Sequence, residues 1–358
     1  VSVVAGALAL AACGSDSNGA SGTSASSSGG SIACKTGDIK ASGSSAQKNA
    51  MTTWINKYQE ACSGATIEYS PSGSGAGVQD FINNQTAFAG SDSALKPDEV
   101  TKANTRCGSG NTAINIPMVI GPIAVAYNLP GQDGLVFTPE VLSKIFSGTI
   151  TKWNDPAIAG LNSGATLPDA TIVTFHRSDS SGTTDNFTKY LTAAAASAWT
   201  YGHDKVWKAP GGQGAKGSDG VAAALKSTPN SLGYVEYSFT LEGGLQVAKI
   251  DNGGGATELT PENAGKAVGA AKITGTGLDL TLSLDYATKT AGAYPIVLVT
   301  YEITCQKGLP ANELDLTKSF LTYISSSAGQ GQLNAASGYA PLPAELLTKV
   351  QASVAAIS

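Results

Sequence analysis

The chain has 358 residues, 42% of them hydrophobic and only 14% charged, with 43 glycines and a formal net charge of -5. That length buries a sizeable core and suits two domains or one large one. The acidic balance argues against nucleic acid or an anionic membrane surface as the main partner, since both need a basic face; an anionic ligand would have to be held by oriented dipoles and one well-placed arginine.

In chain order, residues 1–12, Val1 to Ala12, are apolar or small and too short to span a bilayer as a helix, so they read as the remnant of a secretory signal. They run into Leu10-Ala11-Ala12-Cys13, which looks like a bacterial lipobox and implies lipidation of Cys13 after cleavage. Residues 13–36 form a tether. Its Gly14 to Ser31 stretch is almost wholly Ser, Gly, Ala and Thr, with a reach of about 20 to 25 Å. Four cysteines remain, Cys34, Cys62, Cys107 and Cys305; in an oxidising compartment they imply two disulfides among three connectivities.

Ile39 to Ser44 is a strand candidate, and Met51, Trp54, Ile55 and Tyr58 recur at helical spacing, predicting a helix with Ser45 as its N-cap. Thr66 to Tyr69 is the next strand; a turn of small residues through Ser74 to Gly77 leads to a helix carrying Val78, Phe81 and Ile82. Phe88-Ala89-Gly90-Ser91-Asp92 is an apolar run ending in an acid. Asp92 either caps the helix that Pro97 and Glu99 announce or offers its carboxylate to a ligand. Ala113 to Ile120 and Ile123 to Tyr127 are strand-like, broken by Pro117 and Gly121-Pro122, and read as one crossing between domains. Pro139 to Phe146 is a helix and Ile150 to Asn154 a turn. The strand Ile172 to Phe175 then meets His176-Arg177-Ser178-Asp179-Ser180-Ser181-Gly182-Thr183-Thr184 and a helix reaching about Trp199. Lys208 to Gly220 is a glycine-rich loop before a helix through Val221, Ala222 and Leu225. Strands follow at 232–237 and 245–250, a helix at 261–271, a strand at 294–301, and helices at 316–325 and 344–354. Alternating strands and helices imply α/β sheets with ligands where helices begin.

The stretch 176–184 carries the chemistry of an anion cradle. A helix N-terminus offers unpaired N–H groups and partial positive charge, and Arg177 adds a two-pronged donor matched to a tetrahedral oxyanion. The purely structural account has Ser181 or Thr183 capping the helix and Asp179 pairing with Arg177. Strand, small-residue turn and helix start occur three times, around Ser45, Ser74 and Ser181. Asp92 adds selectivity: a buried carboxylate accepts a proton from phosphate, whereas sulfate carries none to give.

The motifs Gly43-Ser44-Ser45, Gly73-Ser74-Gly75-Ala76-Gly77, Gly90-Ser91-Asp92 and Arg177-Ser178-Asp179-Ser180-Ser181-Gly182-Thr183 resemble the phosphate-binding protein (PstS) family of bacterial phosphate ABC importers. Trp153-Asn154-Asp155-Pro156, Gly217-Ser218-Asp219-Gly220-Val221-Ala222 and Leu232-Gly233-Tyr234-Val235-Glu236-Tyr237 fit the same family, over about residues 38 to 350. The resemblance implies a two-lobed α/β type II periplasmic-binding-protein fold with mixed sheets and a two-strand hinge, lobe I being 37–120 with 296–358 and lobe II 121–295. It implies a phosphate shell of Ser45, Ala46, Ser74, Asp92, Arg177, Ser181, Gly182 and Thr183, with Asp179 holding Arg177. The family usually has threonine and a bulkier apolar residue where Ser45 and Ala46 stand; Ser45 keeps the hydroxyl and a backbone donor at Ala46 needs no side chain, so the departure bears on affinity more than on identity. The implied fold pairs Cys34 with Cys62 and Cys107 with Cys305, at the end of lobe I away from ligand. It further implies a lipid-anchored extracytoplasmic monomer, permease subunits in the membrane as partners, and no cofactor, metal or nucleic acid.

The rival reading is a serine acyl enzyme or phosphatase using Ser45 or Ser181. Ser45-Ala46-Gln47-Lys48 matches S-x-x-K and Lys35-Thr36-Gly37 matches K-T-G, but their order is reversed and no S-D-N occurs. The only histidines are His176 and His203, and His176 is expected to point away from the cradle. Within the binding-protein reading, sulfate or molybdate is the competing cargo.

Overall fold

The computed structural model describes residues 32–358; the expected signal remnant, Cys13 and most of the expected tether lie outside the described residues. Along the chain, β1 (Gly37–Gly43) leads to α1 (Lys48–Ala61), β2 (Ala65–Ser70) to α2 (Ser74–Ile82), and β3 (Phe88–Ser91) to α3 (Pro97–Cys107). After β4 (Ala113–Asn128) come β5 (Val136–Phe137), α4 (Pro139–Phe146), α5 (Pro156–Leu161), β6 (Val173–Arg177) and α6 (Gly182–Ala194). Next are β7 (Gln213–Ala215), α7 (Gly217–Ser227), β8 (Ser231–Glu236), β9 (Gln246–Val247), β10 (Lys249–Asp251), β11 (Ala256–Thr257) and α8 (Pro261–Gly269). The hairpin β12 (Lys272–Ile273) and β13 (Leu282–Ser283) precedes β14 (Val297–Cys305), α9 (Ala311–Ile324), α10 (Ser327–Gln330) and α11 (Ala344–Ala355).

The main sheet runs β2-β1-β3-β14-β4-β8-β6-β7, with β9 also pairing β4. It has two halves sharing β4. From Ala113 to Pro122 that strand pairs antiparallel with β14, and from Ile123 to Asn128 with β8. In each half the remaining strands are parallel and helix-connected, so their C-terminal ends and the following helix starts face the same way. The first half is filled by Trp54, Tyr58, Phe88 and Phe320, the second by Phe146, Phe187, Trp207 and Tyr234.

Several boundaries depart from the sequence reading. The helix expected from Ser45 opens at Lys48, with Gln47 as its N-cap, so Ser45 sits in the turn before it. The helix after the cradle ends at Ala194, not near Trp199. Pro117 and Gly121-Pro122 do not break β4, which is continuous over 16 residues. The register slips so that Thr300 faces Val119 and Tyr301 faces Pro117, leaving Met118 as a bulge that absorbs the missing proline N–H. Gly121 lies just before β4 changes partner from β14 to β8. A Cβ there would lie 2.9 Å from Leu298 and 3.2 Å from Glu236. Residues 279–282 hang on the first half, where Asp279 accepts from the Asn115 N–H and the Leu282 N–H donates to the Tyr301 hydroxyl.

The disulfides are Cys34–Cys62 and Cys107–Cys305. Cys34 precedes β1 and Cys62 ends α1; Cys107 ends α3 and Cys305 ends the antiparallel β14, so both bridges lie at the opposite end of the first half from Ser45.

Candidate anion-binding site

Three helix starts converge. The β1–α1 turn places Ser45 and Ala46 at 1% exposure each, and the Ala46 N–H donates to Ser44 Oγ at 3.1 Å. Ser74 opens α2; its N-cap Gly73 has φ 101°, a backbone shape that favours glycine. Ser181 is the N-cap of α6, its Oγ accepting from the Thr184 N–H at 3.2 Å, and Gly182 and Thr183 form the first turn. The capping account of Ser181 is therefore correct locally, and it leaves the Gly182 and Thr183 N–H groups at the orphaned end of the helix.

Asp92 lies at the junction, past the end of β3, and does not cap α3, which begins after Lys96. It is 3% exposed. Its Oδ1 accepts from Thr300 Oγ1 at 2.9 Å, its Oδ2 from Ser74 Oγ at 3.4 Å and from Thr183 Oγ1 at 3.3 Å, and its own N–H donates to Ser74 Oγ at 3.2 Å. A Cβ on Gly182 would lie 2.6 Å from Asp92 Cβ and 2.7 Å from Ser74 Oγ, so only glycine lets α6 approach this closely. Burial pushes the Asp92 carboxyl above its ordinary value, against the pull of its hydroxyl partners and the Arg177 charge.

Arg177, 3% exposed at the end of β6, is clamped by Asp179: Nε donates to Oδ1 at 2.7 Å and Nη2 to Oδ2. Burial works against the Asp179 charge, but the Arg177 pairing and the Gly217 N–H outweigh it and hold the carboxyl below its usual range. The guanidinium thus arrives charged and fixed in direction, with Nη1 outside the clamp. Tyr234 of β8 fastens the strand to the helix, its hydroxyl accepting from the Arg177 N–H and bonding Thr184 Oγ1 at 2.7 Å; burial pushes this phenol up to about 12.

The two halves touch across the site. The Gly75 N–H donates to the Ser180 carbonyl at 2.9 Å, Ser45 meets Ser218, Lys48 pairs with Asp219, and Lys205 with Glu99. Of the expected residues, Ser45, Ser74, Asp92, Gly182, Thr183 and Asp179 have neighbours across this seam, while Ala46, Arg177 and Ser181 lie buried beside them in the same turns. Sequence reasoning missed Thr300, which lies within the buried strand β14, and Asn186, whose Nδ2 donates to the Asp92 carbonyl; neither carries a local motif. A cavity of about 650 Å³ opens beside Asp92 between Lys96, Asp185, His203 and Tyr286, and shares only Asp92 with the cradle.

A description of the PBP superfamily domain matches residues 19–328. Phosphate-binding protein PstS 3 of Mycobacterium tuberculosis (strain ATCC 25618 / H37Rv) is 44% identical over 366 residues, covering 99% of this chain and 97% of its own. The chain belongs to the PstS family. Two solved structures share the family fold. A high affinity periplasmic phosphate-binding protein (PfluDING) bound with phosphate has a TM-score of 0.69 at 22% identity, over 88% of this chain and 93% of its own. A putative phosphate ABC transporter substrate-binding protein from Clostridium perfringens has a TM-score of 0.62 at 19% identity, over 86% of this chain and 100% of its own.

The residues of the rival reading are otherwise engaged. Lys48 Nζ meets Asp219 at 2.8 Å, so the S-x-x-K pair is not assembled. His176 stacks on Trp207 with Nδ1 against the Arg177 carbonyl, and His203 Nδ1 lies 2.7 Å from Asp185. Among the described residues, no histidine or lysine stands as a base beside Ser45 or Ser181.

Proposed function

We propose that this protein captures inorganic phosphate between two lobes outside the cytoplasm and delivers it to the permease subunits of an ABC importer. One observation carries the reading: Ser74, Thr183 and Thr300 converge on the buried Asp92 carboxyl from different elements, under the charge of the clamped Arg177. The donors of Ser45, Ala46, Ser74, Arg177, Ser181, Gly182 and Thr183 suit phosphate oxygens, and Asp92 accepts the proton that phosphate retains. Lobe I comprises 37–120 and 296–358 and lobe II 121–295; what supports the division is the change of partner along β4 after Pro122. The names of the relatives support phosphate as cargo and importer membership.

Isothermal titration with phosphate, arsenate and sulfate tests the reading. Phosphate and arsenate should bind and sulfate should not. Asp92→Asn replaces one acceptor oxygen by a donor, so phosphate should weaken by roughly tenfold or more while sulfate gains. Equal sulfate and phosphate affinity in the unmutated protein would refute the proton-acceptor role. The protein acts as a monomer tethered through lipidated Cys13, the lipobox-like Leu10-Ala11-Ala12-Cys13 being the support; Cys13→Ala should shift it from the membrane fraction to the medium.

A further inference from the structure

The motif Gly217-Ser218-Asp219-Gly220 has no task in the shell described above. It opens α7 in the second half of the sheet, yet Ser218 is fully buried against Ser45 of the first. The Ser218 N–H donates to Ser45 Oγ at 3.0 Å, and Ser218 Oγ lies 3.1 Å from the same atom. We propose that Ser218 is a positioning residue that turns the Ser45 hydroxyl into an obligatory donor toward the bound anion, an inference that rests on the phosphate reading of the site.

The argument is one of counting. A hydroxyl has one proton to give and two lone pairs to fill. The Ser218 N–H fills one lone pair. Either hydroxyl can donate across the 3.1 Å contact; with an anion oxygen present to accept from Ser45, the Ser218 O–H donates and fills the second lone pair. Serine lacks the β-methyl that restricts a threonine rotamer, so a serine at position 45 gains more from being held. Two contacts fix Ser218 in turn. The Gly217 N–H donates at 3.0 Å to Asp179 Oδ1, the same oxygen that accepts from Arg177 Nε, and Lys48 Nζ meets Asp219 Oδ1 at 2.8 Å. Asp179 thereby aligns the arginine and the Ser218 turn together. Because Ser45 and Ser218 belong to different halves, this donor is oriented only when the halves meet.

Phosphate titrations of the full chain carrying Ser218→Ala, Ser45→Ala and both changes test this, with thermal midpoints of each ligand-free protein. Ser218→Ala should bind phosphate about 5-fold more weakly at an unchanged midpoint, and should cost nothing further once Ser45 is alanine. Unaltered affinity in Ser218→Ala, or losses that multiply in the double variant, would overturn the inference while the phosphate reading stands. Failure of the unmutated protein to bind phosphate would remove both.

Discussion

Asp92 is one of several buried carboxyls, and its neighbour Glu302 shows what such a group does to stability. Glu302 pairs across the sheet with Gly90, and a Cβ on Gly90 would run into Gln47 and the Tyr69 hydroxyl, so Glu302 shares that crowded face. Both its oxygens lack a hydrogen-bond partner among the described residues. Burial, with the Asp92 charge adding and Gln47 opposing, raises this carboxyl from 4.5 to about 8. The folded protein therefore holds the proton at neutral pH while the unfolded chain releases it. That contribution to stability is complete below the unfolded value and is lost as pH rises toward about 8. Urea midpoints of the ligand-free protein should fall between pH 5 and pH 8, by on the order of a few kcal/mol in stability. Glu302→Gln should flatten part of this slope; Glu236, raised by the same cause, keeps the rest.

Among the elements, α2 packs directly against the other half, the Gly75 N–H donating to the Ser180 carbonyl at 2.9 Å. Gly75 lies in its first turn, and a Cβ there would stand 2.0 Å from Ser180 Oγ and 2.5 Å from Ser180 Cβ. Rotating the serine relieves only the first of these contacts. In isolation Gly75→Ala would favour the helix by about 1 kcal/mol, because alanine loses less backbone freedom than glycine. The expected outcome is thus a split: an equal or higher thermal midpoint without ligand, and phosphate affinity reduced by roughly tenfold because the halves cannot meet. Adding Ser180→Gly should restore part of the affinity. A loss of midpoint with affinity unchanged would mean that this seam does not form on binding. Closure here has ample partners, since Lys205 with Glu99, Lys96 with Asp204 and Ser93 with Asp185 join the same two bodies.

For the molecule as a whole, the disulfides brace the end of the first half remote from the site, and neither crosses the seam. Cys34–Cys62 spans 28 residues and Cys107–Cys305 spans 198, so the second removes more freedom from the unfolded chain. By loop-closure entropy the difference is about 2 kcal/mol. Denaturant unfolding should rank the serine pairs accordingly, Cys107→Ser with Cys305→Ser losing more than Cys34→Ser with Cys62→Ser, while phosphate affinity of the folded protein changes in neither. The Cys107–Cys305 bridge also ties the end of α3, just before β4, to the end of β14, β4 and β14 being the two strands that pair where the chain passes between halves.

The sequence alone determined the alternation of strands and helices, the small-residue turns at Ser45, Ser74 and Ser181, and the Arg177–Asp179 pair, because each follows from local periodicity or from neighbours two residues apart. It misjudged β4, where Pro117, read as a break, is absorbed by a bulge that only pairing with β14 creates, and Pro122 pairs in register with Val297. Only the tertiary structure decided that Thr300 supports Asp92 and that Ser218 faces Ser45, partners 208 and 173 residues apart. A lone hydroxyl has no periodic signature, and its role is set by which strand the fold lays beside it.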